Sequence, residues 1–266
     1  MISIEVLAGE TVLAAARHLH TAQLYVKGTY PETACLRVTA PEGHLWVQVD
    51  QVIAPALLFL PNGCLTYAIP RREQCRAYPP QAFIGEGHAI RAWLPDEHEI
   101  YARRNLAFNP ADQRGAAQAY PHASANVETR DEAVFAARNV IDGWTFNTSH
   151  GDWPFQSWGI GVRDDAWCLI EFGREVLVDE TALVLRADFP HDAYWVSGRV
   201  AMSDGSVIPL ALQKTAEPQR IALGDHHVTW MRLEQLVKSS DASAFPALSQ
   251  WEVYGRDPLI LHSGTA

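Results

Sequence analysis

Two polar, aromatic segments in the second half of the chain hold the residues best suited to chemistry. The first segment, residues 144–158, contains three tryptophans, a histidine, an aspartate and a glutamine: Trp144, His150, Asp152, Trp153, Gln156 and Trp158. Its glycine, proline and asparagine residues indicate a loop. Because a sugar ring needs a flat aromatic surface and short polar groups, the segment predicts a carbohydrate site. The alternative is that its tryptophans fold back and close the end of a β-sandwich.

The second segment, residues 186–195, lies between two predicted strands. Its polar and aromatic residues are Arg186, Asp188, His191, Asp192 and Trp195. In one interpretation Arg186 pairs with an aspartate of the segment and fixes the shape of the loop. In the other, the segment joins His150 and Asp152 at one end of the domain, where these side chains bind sugar hydroxyls or a transition metal.

The elements that position these segments are predicted to be mainly strands. In residues 44–49, Leu45, Val47 and Val49 alternate with more polar positions, which is typical of a half-buried strand. Similar patterns occur at residues 34–39, 64–69, 88–94, 167–172, 181–187, 194–202, 207–212, 227–237 and 249–254. Many short strands bounded by turn residues favour a β-sandwich or barrel. Short helices are predicted at residues 9–18 and 131–140.

The length of 266 residues favours two domains, at roughly 150 residues each. We predict an N-terminal β-sandwich at residues 1–104, a connecting segment at 105–122 and a second domain at 123–266. The apolar runs are far shorter than the roughly 20 residues of a membrane-spanning helix. The N-terminus lacks the pattern of a secretory signal, so a cytoplasmic location is expected.

The chain carries a net charge of −10, and most of the excess acid lies after residue 120. A negative field repels phosphate backbones and anionic lipids, so nucleic acid and membranes are not expected partners. The four cysteines have no C-x-x-C spacing and are expected to be reduced. Common hydrolase and nucleotide-binding motifs are absent from the sequence. The oligomeric state is left open.

Several short motifs after residue 120 resemble the discoidin (coagulation factor 5/8 type C) family. They are residues 139–143 with an Asp-Gly turn, Ser157-Trp158, residues 167–173 and the closing residues 251–255. The resemblance covers about residues 123–257. It implies a galactose-binding-like jelly roll that presents a ligand site on the loops at one end and is usually non-enzymatic.

The resemblance also implies a structural calcium ion beside the Asp-Gly turn. Its ligands would be Asp142, the 145–148 loop with Asn147, and Glu252, since oxygen ligands suit calcium. The loop departs from the family because it lacks a threonine or serine at the expected place. In the alternative interpretation Asp142 belongs to an ordinary tight turn and Glu252 is a surface carboxylate.

The sequence therefore predicts an all-β protein of two β-sandwich domains, whose C-terminal jelly roll binds carbohydrate without changing it. One alternative is a glycosidase or polysaccharide lyase that uses Asp152, Asp188, His191 and Asp192 for acid–base chemistry. Another is a protein-interaction module. The first half resembles no known family, and its aromatic residues are expected to fill a core or to line a groove against the second domain: Tyr25, Tyr30, Trp46, Tyr67, Tyr78 and Trp93.

Overall fold

The computed structural model describes residues 1–115, 117–147, 149–186 and 192–259, which form antiparallel sheets joined by loops. The strands are β1 (Ile2–Ala8), β2 (Thr11–His18), β3 (Thr21–Lys27), β4 (Ala34–Thr39), β5 (Gly43–Gln48), β6 (Ala56–Leu60), β7 (Cys64–Ala68), β8 (Gly87–Trp93), β9 (Arg104–Asn105), β10 (His122–Ala125), β11 (Trp158–Gly159), β12 (Cys168–Leu185), β13 (Trp195–Met202), β14 (Val207–Ala211), β15 (Gln219–Lys238) and β16 (Ala247–Arg256). A short helix, α1, spans Glu97–Tyr101. The predicted all-β class is confirmed.

The helical content of the described residues is low. Besides α1 there are 3₁₀ turns at Arg72–Ala77, Thr129–Asp131, Ala133–Phe135 and Ala137–Ile141. None of these helices has the length and apolar character needed to cross a bilayer.

The first half folds as a β-sandwich of two four-stranded sheets, with strand orders β2-β1-β4-β7 and β3-β8-β5-β6. Alternation along β1 turns Ile2, Ile4 and Val6 into the shared core, where each is fully buried. Leu45 of β5 and Ile90 of β8 enter the same core from the opposite sheet. Burying each such side chain contributes about 1.5–3 kcal/mol to stability.

The second half is built around two long strands, β12 and β15, which pair along most of their length. The first part of β12 also pairs with β10, and the last part pairs with β16. The register breaks between Glu171 and Val176, so the sheet bends there. Because of the bend, the two parts of the sheet enclose a second core that includes Trp158, Phe172 and Trp251. The second half thus forms the C-terminal one of the two β-sandwiches predicted from the sequence.

A glycine makes this bend possible. Gly173 has a φ of 67°, and a Cβ at this position would lie 2.2 Å from the ring of Tyr120. A side chain would therefore meet both a strained backbone and an aromatic ring.

The second half of the chain contributes residues to the first core. Val134, Phe135 and Phe155, which lie beyond the predicted connecting segment, pack into the core of the first sandwich. The predicted boundaries at residues 104 and 122 remain a prediction.

Three secondary-structure predictions were wrong. Residues 11–18 form strand β2, because Ala14 and Ala16 alternate toward the first core. Residues 131–140 form separate 3₁₀ turns, since Glu132 and Ala136 adopt extended backbone between them. Residues 168–185 form one bent strand, whereas the sequence predicted two separate strands.

Candidate functional site

A cleft of about 120 Å³ lies at one end of the second sandwich. It forms where β12 ends, where β16 begins and where β11 pairs with the start of β16. The described residues that line it are Thr129, Arg130, Phe135, His150, Gly159, Ile160, Gly161, Arg186, Phe245, Pro246 and Ala247. The cleft therefore combines basic and aromatic side chains.

Arg186 forms the buried part of this cleft and is only 5% exposed. Its backbone N–H donates to the carbonyl of Ala247 at 3.0 Å, which ties the end of β12 to the start of β16. Its guanidinium lies 5.8 Å from the ring centre of Phe135 and 5.9 Å from that of Phe155. Aromatic rings thus hold the cation in place through cation–π contacts.

His150 contacts Arg186 directly, with Nδ1 of the imidazole hydrogen-bonded to Nη2 of the guanidinium. Since a guanidinium only donates hydrogen bonds, Nδ1 must accept, and the imidazole proton lies on Nε2. Arg186 and His150 therefore both carry N–H groups in this region. Two residues that the sequence assigned to separate segments lie together.

Phe245 supplies an apolar wall of the cleft, and the sequence analysis missed it. The side chain is 52% exposed and precedes Pro246 just before β16. Exposure of a large aromatic beside a cleft is unusual, because most such rings are buried. A lone Phe-Pro pair in a polar segment gives no periodic signal, so sequence alone did not identify it.

The predicted loop tryptophans pack on each other. The rings of Trp144 and Trp153 meet edge to face, with centroids 4.4 Å apart, and Phe146 lies 6.0 Å from Trp144. Trp144 and Trp153 are half-buried, whereas Phe146 is 53% exposed. This packing uses ring surface that a ligand would otherwise contact.

Two tryptophans predicted to bind ligand belong to the core. Trp158 is 0% exposed and Trp195 is 1% exposed, and their rings lie 6.2 Å apart. The indole N–H of Trp158 donates to the carbonyl of Val127 at 2.9 Å. The prediction was wrong for both, because each begins a strand that faces the second core.

Gln156 is also buried, and it contacts Asp142 instead of the surface. Its Nε2 donates to Oδ2 of Asp142 at 3.0 Å, while Oδ1 of Asp142 accepts from the backbone N–H of Trp144 at 2.9 Å. Burial raises the pKa of Asp142 to about 6, against the opposing effect of the nearby Arg138 cation. Gln156 therefore has a structural role.

The residues proposed for calcium do not form an evident metal site. Both carboxylate oxygens of Asp142 already accept hydrogen bonds, and Oε2 of Glu252 accepts from the hydroxyl of Tyr254. Nδ2 of Asn147 is buried and has no hydrogen-bond partner among the described residues, but an amide N–H is a donor and cannot ligate calcium. The described part of the chain holds no group of three or more His, Cys, Asp or Glu suited to a metal. Calcium stays a prediction.

The remaining candidates lie apart from the cleft or outside the described residues. Asp152 is exposed and accepts from the hydroxyl of Ser149 at 3.3 Å. Asp192 pairs with Lys214 at 3.1 Å in a neighbouring cleft of about 280 Å³. Asp188 and His191 are outside the described residues. Among the contacts of the described residues, none joins Asp152 to Asp192, and the enzyme alternative stays a prediction.

Replacing Asp142 by asparagine should change how stability depends on pH. The pKa of Asp142 is about 6 in the folded state and near 3.9 in the unfolded state. The protonated carboxyl therefore contributes fully to stability below about pH 4, and this contribution is lost as pH rises through 6. The Gln156 amide can rotate, because its Oε1 has no partner among the described residues, and then accept from the amide of the introduced asparagine. Relative to wild type, Asp142→Asn should gain about 1–3 kcal/mol between pH 4 and pH 7.

Urea unfolding at both pH values measures this difference. The exposed Asp152→Asn is the matched control and should follow wild type at both. Equal stability changes for Asp142→Asn at pH 4 and pH 7 would contradict the raised pKa.

Several solved structures that resemble the chain are carbohydrate-binding modules or lectin domains. Chitosan-binding module 1 of a chitosanase/glucanase from Paenibacillus sp. IK-5 is 19% identical, with a TM-score of 0.40, covering 58% of this chain and all of the module. The family 32 carbohydrate-binding module of C. perfringens NanJ, in complex with galactose, is 14% identical with a TM-score of 0.38, covering 50% of this chain and 91% of that one.

A third similar structure is the lectin domain of Lectinolysin complexed with Lewis b, in a His 62 mutant form. It is 14% identical with a TM-score of 0.44, covering 59% of this chain and 99% of that chain. No protein-family model and no curated protein sequence matches the chain. At these identities and TM-scores, the similarities carry no conclusion about a ligand of this chain.

Proposed function

We propose that the cleft around Arg186 binds a sugar ring without catalysing a reaction. The observation that carries the proposal is the hydrogen-bonded pair His150–Arg186 placed in one cleft with the exposed ring of Phe245. A pyranose has one apolar C–H face, which suits the Phe245 ring, and a rim of hydroxyl oxygens, which accept hydrogen bonds. The guanidinium and imidazole N–H groups are donors of the kind that such oxygens require.

The lining also supports a binding function over hydrolysis. Glycoside hydrolysis in most enzyme families uses a pair of carboxyl groups about 5–9.5 Å apart. The described lining residues of this cleft include arginine, histidine, threonine and aromatic side chains but no aspartate or glutamate. Galactose, Lewis b and chitotriose, each present in a structure of similar fold, form the first ligand panel.

Replacing Phe245 by alanine should weaken binding about tenfold, since loss of a stacking ring costs on the order of 1.4 kcal/mol. Isothermal titration calorimetry, against the saccharide of the panel that raises the melting temperature most, measures the change. Phe245 is exposed, so the variant should remain folded.

Phe146→Ala is the matched control, because Phe146 is equally exposed, at 53%, but does not line the cleft. It should bind like wild type. If Phe146→Ala loses affinity while Phe245→Ala retains it, the ligand binds the tryptophan loop and the proposed site is wrong. If no saccharide of a broad panel binds wild type, the proposed function itself fails.

A further inference from the structure

The first sandwich carries a second surface suited to a ligand, on the outward face of strands β3, β8 and β5. Tyr25 of β3 lies on this face and is 62% exposed. Its ring lies against Gly87 of β8, where an added Cβ would be 2.3 Å from the Tyr25 hydroxyl oxygen and 3.0 Å from Cζ. Because Gly87 has no side chain, the ring can lie flat on the sheet. Its other face points outward as a planar apolar platform.

A pair of tryptophans lies farther along the same face. Trp46 and Trp93 are directly opposite each other on β5 and β8, with ring centroids 5.7 Å apart and nearly parallel planes. The indole N–H of Trp46 donates to Oε1 of Glu99 in α1 at 3.0 Å, which fixes its orientation. Trp93 is six residues beyond Gly87, on which the Tyr25 ring lies, and this corresponds to about 20 Å along the strand.

A row of polar side chains lies between Tyr25 and the tryptophan pair. Arg91 of β8 is opposite Gln23 of β3 on one side and Gln48 of β5 on the other. Its guanidinium lies 4.9 Å from the ring centre of Trp93, which holds it over the sheet. No carboxylate of the described residues forms an ion pair with Arg91, and both of its neighbours across the strands are neutral amides. Arg91 therefore has no ion-pair partner among the described residues, and the Glu99 carboxylate reaches the same face at Trp46.

The open part of the face is bounded on one side by the second sandwich. His44 of β5 and Phe59 of β6 are covered by Asp257 and Arg174 of the second half. Tyr25, Gln23 and Arg91, on the strands farther from that contact, remain exposed. The exposed surface is thus an elongated strip that follows β8.

We propose that this strip binds a polysaccharide chain that carries carboxylate groups, such as a polymer of hexuronic acids. The excess acid that disfavours polyanionic partners lies mainly after residue 120, outside this sandwich. A strip with apolar positions about 20 Å apart fits several successive sugars better than a single ring. Arg91, which has no ion-pair partner among the described residues, complements a sugar carboxylate, because a guanidinium donates two parallel hydrogen bonds to that group. The flanking glutamine amides donate to and accept from hydroxyls. This surface is independent of the Arg186 cleft.

Polygalacturonate and its fully methyl-esterified form test the proposal, because they share a backbone and differ in charge. In affinity electrophoresis and calorimetry, wild type should bind the charged polymer at least about tenfold more tightly than the ester. High salt should weaken that binding, since the carboxylate contact is solvent-exposed. Equal binding of the ester, or no binding of the charged polymer, would overturn the proposal.

Variants identify the surface. Arg91→Gln and Tyr25→Ala should each lower the affinity for polygalacturonate about tenfold. If Tyr25→Ala disturbs the fold, Arg91→Gln still tests the proposal. Arg163→Gln removes an equally exposed arginine elsewhere and should bind like wild type. Phe245→Ala should also leave this binding unchanged, which separates it from the Arg186 cleft. Wild-type affinity in folded Arg91→Gln and Tyr25→Ala would show that the strip is not the site.

Discussion

Replacing Arg138 by methionine is expected to lower the free energy of unfolding by about 3–5 kcal/mol, because the change breaks a buried polar network. Arg138 is 5% exposed, and its guanidinium donates to the carbonyls of Asp112 and Pro110 at 2.9 and 2.8 Å and to the Asn139 side chain at 3.0 Å. It also lies 4.5 Å from the ring centre of Tyr78. Methionine fills similar volume but leaves these oxygens without a donor.

Arg138 connects parts of the chain that are distant in sequence. Tyr78 belongs to the first sandwich, Asp112 to the predicted connecting segment, and Asn139 to the second half. Chemical denaturation followed by circular dichroism measures the loss. Arg163→Met removes an exposed ion pair with Asp165 and should leave the unfolding midpoint unchanged. Equal effects of the two substitutions would show that the network around Arg138 is not important for stability.

The alternation of apolar and polar residues predicted several strands, because one side of each sheet faces the core and the other side faces outward. Residues 34–39, 44–49, 64–69 and 88–94 were predicted as strands, and β4, β5, β7 and β8 lie there. The same alternation that turns Leu45 and Val47 inward turns Trp46 outward. The sequence nevertheless assigned Trp46, Trp93 and Tyr25 to a core or to a groove against the second domain. By contrast, Tyr30, Tyr67 and Tyr78 are buried as expected.

The errors have a common physical origin in contacts between distant residues. The pattern at residues 9–18 is compatible with a helix, and only pairing with β1 makes it a strand. The long β12 contains Gly173, which suggests a break, yet pairing with β15 resumes beyond it. Trp158 is in a two-residue strand, too short for any periodicity to show which way it faces.

The candidate site was predicted in part. In one of the two interpretations, the segments at residues 144–158 and 186–195 lie at the same end of the domain, and the contact between His150 and Arg186 joins one residue of each. Phe245 could not be predicted, because it reaches the cleft from a segment about 60 residues farther along the chain. Gln156 was predicted to contact a ligand, and Asp142 to bind calcium or to belong to a tight turn; the burial of both depends on how the loop folds back on β16.

The substitution Asp257→Asn is expected to lower the free energy of unfolding by about 3 kcal/mol at neutral pH. Asp257 lies just after β16, with a side chain only 6% exposed, and accepts hydrogen bonds from Arg104 at 2.7 Å and from Arg174 at 3.0 Å. Nε2 of His44, in the first sandwich, lies 3.2 Å from its other oxygen. Asparagine would leave two largely buried guanidinium groups without a counterion between the two halves of the protein.

The pH dependence provides a second measurement of the same cluster. Although burial opposes ionisation, the imidazole of His44 and the guanidinium of Arg174 hold the pKa of Asp257 well below its usual range. A carboxyl with a depressed folded pKa contributes stability above its unfolded pKa, near 3.9, and loses it as pH falls through the folded value. The difference between wild type and Asp257→Asn should therefore be full near pH 7 and shrink below about pH 4.

The titration of His44 adds a separate step to the pH dependence of wild-type stability. Burial lowers the pKa of His44, so its contribution is complete above the unfolded value near 6.5 and declines as pH falls below it. Asp179→Asn is the control, since Asp179 also pairs with an arginine, Arg103, whose side chain is 46% exposed. That pair is partly solvated, so its loss should cost at most about 1 kcal/mol. If both variants lose equally little stability, the buried cluster does not hold the two sandwiches together.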